Sequence, residues 1–181
     1  MLRIIGGKFR SRLLAQPPLN LTRPTKDRVR EAIFSAIGNK VINAVVLDLF
    51  AGSGAYGFEA ISRGATSVYF NDSHSEAIKV IETNAANLKI NQYKITQLES
   101  IKFIQLASEN QLQFDIVFLD PPYAFEELQN LFKQLFTSNL LKSNAVVVYE
   151  SENKVCNFND DTMRTKTYNY GRTYVHIGWK Q

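Results

Sequence analysis

The sequence has a single cysteine and no long apolar run. Cys156 has no partner for an internal disulfide and no thiolate neighbours for a metal site, so we expect it to be inert and expect no metal. The longest apolar runs, near 45–50 and 145–149, are strand length and fall far short of the about 20 residues that a membrane helix needs. The first residues also lack the apolar stretch of a secretory signal. These absences favour a cytoplasmic protein without a membrane partner.

Acidic residues are scarce at the start of the chain. Residues 1–30 contain eight basic residues and one acid, Asp27, although the net charge of the whole chain is only +4. Clustered lysine and arginine favour a polyanionic partner, because they release counterions from its phosphates. A solvated basic surface is the alternative.

The chain of 181 residues has the size of one domain. We expect a single domain over 1–181, with a basic extension over 1–40 and the core over 41–181. Within the extension, residues 2–14 predict a small hairpin. A helix follows, with Thr25 as its N-cap and Gly38 as its stop.

Apolar runs alternate with segments of helical periodicity from residue 44 onward, which is typical of parallel βαβ units. Residues 163–170 and 172–180 alternate in polarity and meet at Gly171, which indicates a hairpin. The pattern predicts a Rossmann-like α/β fold, a mostly parallel seven-stranded sheet with an antiparallel C-terminal hairpin. The other predicted strands are 44–50, 67–71, 94–98, 114–119 and 145–150, and the helices are 55–63, 75–89, 100–107 and 126–136.

A glycine-rich loop follows the first core strand. Without Cβ atoms, Gly52 and Gly54 let a ligand lie against the backbone. Asp72 ends the second strand about 20 residues further on, where a carboxylate can bind the ribose hydroxyls of an adenosine. Either NAD or S-adenosylmethionine would satisfy these features. Asp48 favours the second, because a carboxylate beneath the loop repels a pyrophosphate and attracts ammonium and sulfonium groups.

Two assignments around this loop stay open at the level of sequence. Asn71 is adjacent to Asp72, so either side chain could reach the ribose. Glu99 follows the third strand and is predicted to accept from the adenine amino group, with an exposed surface glutamate as the alternative. The complete predicted donor site is Asp48, Ala51, Gly52, Ser53, Gly54, Asp72, Ser73, Glu99 and Ser100.

The run Asp120-Pro121-Pro122-Tyr123 ends the apolar strand 114–119. Prolines fix φ and donate no N–H, so they stiffen a loop whose carbonyls can accept hydrogen bonds. An exocyclic amine on a nucleic-acid base has the matching needs, two N–H donors and a π-face that can stack on Tyr123. We predict that Asp120 and the Pro121 carbonyl orient such an amine for methyl transfer, with general base catalysis as a secondary role of Asp120. A plain strand-ending turn is the alternative.

Taken together, these motifs resemble the bacterial 16S ribosomal RNA guanine-N2 methyltransferases, the RsmD family. The resemblance rests on Arg3 to Gly7, Arg23-Pro24-Thr25, Val29-Arg30-Glu31 with Phe34, Leu47 to Gly57, Glu59-Ala60, Ser62 to Ala65, and Asp120 to Tyr123. It implies a class I methyltransferase fold, S-adenosylmethionine as donor, and N2 of a guanine in 16S ribosomal RNA, free or in a small-subunit assembly particle, as acceptor. We expect a monomer. The predicted RNA contacts are Arg3, Lys8, Arg10, Arg12, Arg23, Thr25, Arg28 and Arg30, of which we expect some to be structural.

Three other functions remain open at this stage. DNA adenine or cytosine methyltransferases and protein-glutamine methyltransferases need the same grip on an amine, although this chain has no room for a DNA target-recognition domain. A non-catalytic RNA-binding protein could keep the fold without the activity. A nicotinamide oxidoreductase would bind NAD tightly. Binding of S-adenosylmethionine separates the last two from the methyltransferases.

Overall fold

The computed structural model describes residues 2–17, 27–122, 125–155, 158 and 160–181. The predicted N-cap Thr25 and the cysteine at 156 lie outside these residues. The helices are α1 Asp27–Ile37, α2 Ala55–Ser62, α3 Ser75–Leu88, α4 Ser100–Glu109 and α5 Leu128–Thr137, with a 3-10 helix over Gly38–Val41. The strands are β1 Leu2–Arg3, β2 Leu13–Leu14, β3 Val45–Asp48, β4 Ser67–Asn71, β5 Tyr93–Thr96, β6 Phe114–Leu119, β7 Leu141–Ser151, β8 Met163–Tyr170 and β9 Thr173–Lys180.

Seven of these strands form one sheet in the order β5-β4-β3-β6-β7-β9-β8. The pairs from β5 to β7 are parallel, whereas β9 pairs antiparallel with both β7 and β8. The apolar runs that predicted strands are those of the central strands, which are buried on both faces, as parallel sheets require. The predicted fold, a mostly parallel seven-stranded sheet with an antiparallel C-terminal hairpin, is confirmed.

Helices cover both faces of the sheet, and successive residues of each strand contribute to opposite cores. Val46, Phe118 and Val148 pack with α1, α2 and α3. Leu47, Val117 and Val147 pack with α4 and α5. This period of two is the geometry of a pleated strand. We call the first side the α2 face.

Strand β7 is longer than predicted, chiefly at its start. Strand β7 begins at Leu141, whereas apolarity predicted a start at residue 145. The register with β6 shifts between Phe114, which pairs with Leu141, and Ile116, which pairs with Val146. The polar residues 142–144 form the irregular part of β7, and Asn144 adopts a φ of 63°. A prediction based on apolar runs misses the start of this strand, because the residues of the bulge are polar.

Candidate active site

Two loops meet where the sheet reverses its strand order. Strand β3 lies between β4 and β6, and Asp48 at the end of β3 is in register with Phe118 near the end of β6. The glycine-rich loop therefore follows one strand and the Asp120 loop follows its neighbour. Open α/β sheets bind ligands at this edge, because the chain there diverges to helices on opposite faces.

The glycine-rich loop needs its glycines for conformation and for space. Gly52 and Gly54 have φ of 53° and 77°, in the left-handed region that glycine adopts without a penalty. A Cβ at Gly54 would also lie 2.6 Å from the ring of Phe58. The loop turns directly into α2, whose N-cap is Gly54. Both positions therefore favour glycine, Gly52 for its backbone conformation and Gly54 for its conformation and its close contact with Phe58.

Asp72 joins the end of β4 to this loop. Its carboxylate accepts from the Gly52 N–H at 2.8 Å and from the His74 N–H at 3.0 Å, and the His74 Nδ1 lies 3.1 Å away. The side chain keeps 12% of its surface exposed. Asp72 thus presents a partly accessible carboxylate at the edge of the glycine loop.

Asn71 has a different role. Its amide nitrogen donates to the carbonyls of Leu49 and Leu98 at 3.2 and 3.0 Å, and the residue is buried. It therefore ties the chain after β3 to the chain after β5. Of the two candidates left open by the sequence, Asp72 is the one with exposed side-chain surface.

Asp48 is the buried acid beneath the loop. One carboxylate oxygen accepts from the Gly57 N–H at 3.0 Å, and the residue is 2% exposed. Burial, opposed by the Gly57 hydrogen bond and reinforced by the nearby Asp120 and Asp72 carboxylates, raises the pKa of Asp48 to about 7. A cation bound beside Asp48 would favour the ionised form, so the site is built to gain from a positively charged ligand.

The Asp120 loop is held against the glycine-rich loop. Phe125 donates its N–H to the Pro122 carbonyl at 2.9 Å, which leaves the Pro121 carbonyl as the predicted acceptor for an amine. The Phe125 ring packs edge-on against Phe50 at 5.3 Å. Asp120 and Pro121 are half-buried. Tyr123, the predicted stacking residue, lies outside the described residues.

The remaining predicted donor residues lie in the glycine-rich loop and directly after β4 and β5. Glu99 is exposed immediately before α4, and Ser100 is buried in the first turn. Ser73 follows Asp72 and accepts through its carbonyl from Gln97 at 3.3 Å. The carbonyl of Ser53, in the glycine loop, accepts from the buried Asn84 at 3.1 Å. Ala51 donates its N–H to the Asn71 carbonyl at 2.9 Å.

The N-terminal hairpin is fixed to the core by Glu59, which the sequence analysis named as part of the resemblance but gave no role. Glu59 is fully buried on α2 and accepts from the N–H groups of Ile5 and Gly6 at 2.7 and 2.9 Å. It also pairs with Arg63 at 2.6 Å and lies 3.6 Å from Nε of Arg30. A single acid within the apolar segment 55–62 was the signal that could have identified it.

The predicted RNA contacts divide into three groups. Lys8, Arg10, Arg12 and Arg28 are exposed, and Arg3 is exposed but pairs with Asp27 at 3.1 Å. Arg30 has no exposed surface and donates to the Arg3 carbonyl and to Asp27. Arg30 is therefore an interior residue, and the prediction that it contacts phosphate is wrong. Arg23 and Thr25 lie outside the described residues.

No group of three or more metal-ligating side chains occurs among the described residues. In the same part of the chain, no helix is both long and apolar enough to cross a bilayer.

A doubly wound sheet with a glycine-rich loop and an acid-proline-proline loop at adjacent strand ends defines a class I methyltransferase. A family model described as "Conserved hypothetical protein 95" matches residues 2–179. The chain belongs to this family, the RsmD family of ribosomal RNA methyltransferases, which confirms the resemblance noted in the sequence.

Individual relatives agree with this assignment. The chain is 38% identical over 154 residues to Ribosomal RNA small subunit methyltransferase D of Haemophilus influenzae, covering 83% of this chain and 78% of that protein. It is 32% identical to the Putative rRNA methyltransferase YlbH of Bacillus subtilis, covering 97% of both. The solved structure of the putative methyltransferase yhhF from Escherichia coli superposes with a TM-score of 0.87 at 27% identity, covering 99% of this chain and 98% of that one.

Proposed function

We propose that this protein transfers the methyl group of S-adenosylmethionine to the exocyclic N2 amine of a guanine in 16S ribosomal RNA. The proposal rests on the adjacency of two sites, one for the methyl donor and one for the amine that accepts the methyl group. Asp48 and Asp72 lie at the ends of β3 and β4, and Asp120 follows the neighbouring β6. Support for ribosomal RNA as the substrate comes from the relatives named above.

The residues around the glycine loop fit a cationic adenosine ligand. Asp72 offers a partly exposed carboxylate to the ribose hydroxyls, and the left-handed backbone at Gly52 and Gly54 leaves room for close approach. Asp48 offers buried negative charge to a cation. When bound, S-adenosylmethionine supplies an electrophilic methyl group on a sulfonium.

The Asp120 loop binds the amine that accepts the methyl group. An arylamine nitrogen is a weak nucleophile, because its lone pair is delocalised into the ring. Hydrogen bonds from the amine to Asp120 and to the Pro121 carbonyl would turn that lone pair out of conjugation and stabilise the positive charge that develops on nitrogen. The amine then loses one proton, and Asp120 is within the loop that can receive it. Rigid placement by the two prolines supplies the alignment.

Calorimetric titration tests the donor half of the proposal. We expect S-adenosylmethionine and S-adenosylhomocysteine to bind and NAD to bind at least about 100-fold more weakly, because Asp48 repels a pyrophosphate. Tight NAD binding with no affinity for S-adenosylmethionine would exclude methyl transfer and favour an oxidoreductase.

The pKa of Asp48 predicts how donor affinity depends on pH. Asp48 attracts an ammonium only when it is ionised, and with a pKa of about 7 it is largely protonated near pH 5.5 and half ionised near pH 7. Affinity for S-adenosylmethionine should therefore rise roughly tenfold between these two pH values, a range in which an α-amino group stays protonated. Calorimetry on Asp48→Asn should show the rise abolished. An equal rise in this variant would remove Asp48 from donor binding.

The exposed basic residues of the hairpin are the proposed RNA contacts. A cavity of about 500 Å³ lies between the hairpin and α1 and is lined by Arg3, Arg10 and Arg63 together with the acids Asp27 and Glu31. Arg12 is exposed nearby and donates to the Asn87 carbonyl at 3.2 Å. A guanine in folded RNA must be splayed out to reach the Asp120 loop, so contacts to the flanking backbone are needed.

Removing two of these charges should flatten the salt dependence of RNA binding. For the double variant Arg10→Ala, Arg12→Ala, we expect the slope of log K against log salt to fall in magnitude by about 2, one for each lost phosphate contact. Filter binding or fluorescence anisotropy measures the slope. The matched control is Lys102→Ala, Lys133→Ala, two exposed lysines on α4 and α5, which cover the opposite face of the sheet. Equal slopes for both variants would show that Arg10 and Arg12 do not contact RNA phosphates.

A further inference from the structure

Guanine presents a second donor beside its amine. Its N1–H and its C2 amine point in the same direction along the Watson–Crick edge, whereas adenine and 2-aminopurine carry an unprotonated N1 that accepts. A site that binds only the C2 amine cannot distinguish guanine from 2-aminopurine. A second carboxylate next to the first would distinguish them, since a carboxylate accepts from N–H groups and has none to donate.

The sheet order shows where that second group must lie. The donor residues occupy the ends of β3 and β4, and the amine is gripped at the end of β6. A base whose amine is held there would extend away from the donor if it lay over the end of the next strand, β7. Glu150 lies at that strand end. It directly follows Tyr149, which is in register with Leu119, the residue before Asp120.

Glu150 also lies on the correct face of the sheet. Tyr56, in the first turn of α2, donates its hydroxyl to Oε1 of Glu150. The backbone of Gly57 on the same helix binds Asp48. Glu150 and Asp48 therefore both lie on the α2 face, at strand ends on either side of β6. The site spans the glycine loop, the Asp120 loop and the end of β7.

Tyr56 is built to hold this carboxylate in place. Its ring is 5% exposed and stacks on Phe118 at 4.6 Å with an interplanar angle of 12°. Phe118 is itself buried in β6. A carboxylate offers about four acceptor positions, so it can accept from several donors at once. Tyr56 thus fixes the orientation of the Glu150 carboxylate.

From this arrangement we propose that Glu150 is the residue that selects guanine, by accepting a hydrogen bond from N1–H while Asp120 binds the N2 amine. Tyr56 is the positioning residue that orients Glu150. The inference rests on the proposed function and adds to it the means by which one class of base is chosen. Neither residue was a candidate in the sequence analysis, because Glu150 lies in no motif and its nearness to Asp120 follows only from the strand register.

The test compares two RNA substrates, of which the second lacks both the N1 hydrogen and the C6 oxygen of guanine. The contribution of the N1 hydrogen is therefore read from the change in the substrate ratio between the wild-type protein and a variant. A short RNA carrying the methylated guanine is prepared with guanine or with 2-aminopurine at that position, both of which have the C2 amine. For the wild-type protein we expect kcat/KM to be roughly 10- to 100-fold higher for guanine, the effect of one hydrogen bond to a charged group. For Glu150→Gln we expect the two substrates to differ less than about threefold, because an amide can accept from guanine N1–H or donate to the unprotonated N1.

Two further variants separate selection from structure. Tyr56→Phe keeps the ring on Phe118 and removes the hydroxyl, and should lower the guanine preference to an intermediate value. Glu109→Gln, an exposed glutamate at the end of α4, should keep the wild-type ratio. A ratio that Glu150→Gln leaves unchanged, in a protein that methylates guanine normally, overturns this inference alone. Absence of any transfer by the wild-type protein to small-subunit ribosomal RNA, free or assembled, overturns the proposed function, and this inference with it.

Discussion

Replacing Asp120 with alanine is expected to lower kcat for methyl transfer by about 10²- to 10³-fold, the usual cost of losing one group that stabilises charge in a transition state. Donor affinity should be retained, because the donor residues lie on β3 and β4. Near pH 7 it should even improve slightly, since the Asp120 carboxylate is one of the groups that raise the pKa of Asp48. Single-turnover assays with labelled donor measure the rate, and calorimetry measures the affinity.

The matched control for this variant is Asp115→Ala. Asp115 is an acid at the opposite end of the same strand, where it binds Lys142 at 2.8 Å and the Val45 N–H at 2.8 Å. Assayed well below its melting temperature, this variant should transfer methyl groups at close to the wild-type rate. Normal turnover by Asp120→Ala, or an equal loss in both variants, would contradict the assigned role of Asp120.

The second large effect concerns stability. Glu59→Gln should lower the free energy of unfolding by about 3 to 5 kcal/mol, because it removes the buried counter-charge of the Arg30 guanidinium and leaves only the partly exposed Asp27 beside it. The Nε and Nη1 atoms of Arg30 have no hydrogen-bond partner among the described residues, so the negative charge of Glu59 is the main compensation for burying them. Urea denaturation followed by circular dichroism gives the value.

Glu31→Gln is the control for this substitution, an exposed glutamate on α1. It should change the free energy of unfolding by less than about 0.5 kcal/mol, as surface substitutions usually do. A loss below about 1 kcal/mol in Glu59→Gln would show that the hairpin is held by its apolar residues Leu2, Ile4 and Leu14 rather than by charge.

The core of the site could be predicted because it depends on local chemistry and on one rule of topology. Glycine loops and proline turns can be recognised from the sequence alone, and parallel strands bring their C-terminal ends to one edge of the sheet. Asp48, Asp72 and Asp120 therefore came together as expected. Their roles in binding and catalysis remain proposals.

The parts that sequence did not predict all depend on tertiary contacts. Counting charges placed Arg30 among the RNA contacts, although α1 turns it inward toward Glu59. The contact between Phe50 and Phe125, which joins the two loops, links residues with no shared periodicity. Glu150 came beside Asp120 through a register that the bulge in β7 sets. In each case the partner is distant along the chain, so no window of sequence contains the interaction.

In the proposed reaction, an amine held by Asp120 meets the methyl donor bound by Asp48 and Asp72. The most direct measurement incubates the protein with methyl-labelled S-adenosylmethionine and small-subunit ribosomal RNA, free and assembled, from cells that lack this protein, and maps the labelled nucleotide. The account predicts label on N2 of one guanine, and none when Asp120→Ala is used. Label on a ring nitrogen, a ribose or another base would contradict it, as would donor binding without any transfer to either form of the RNA.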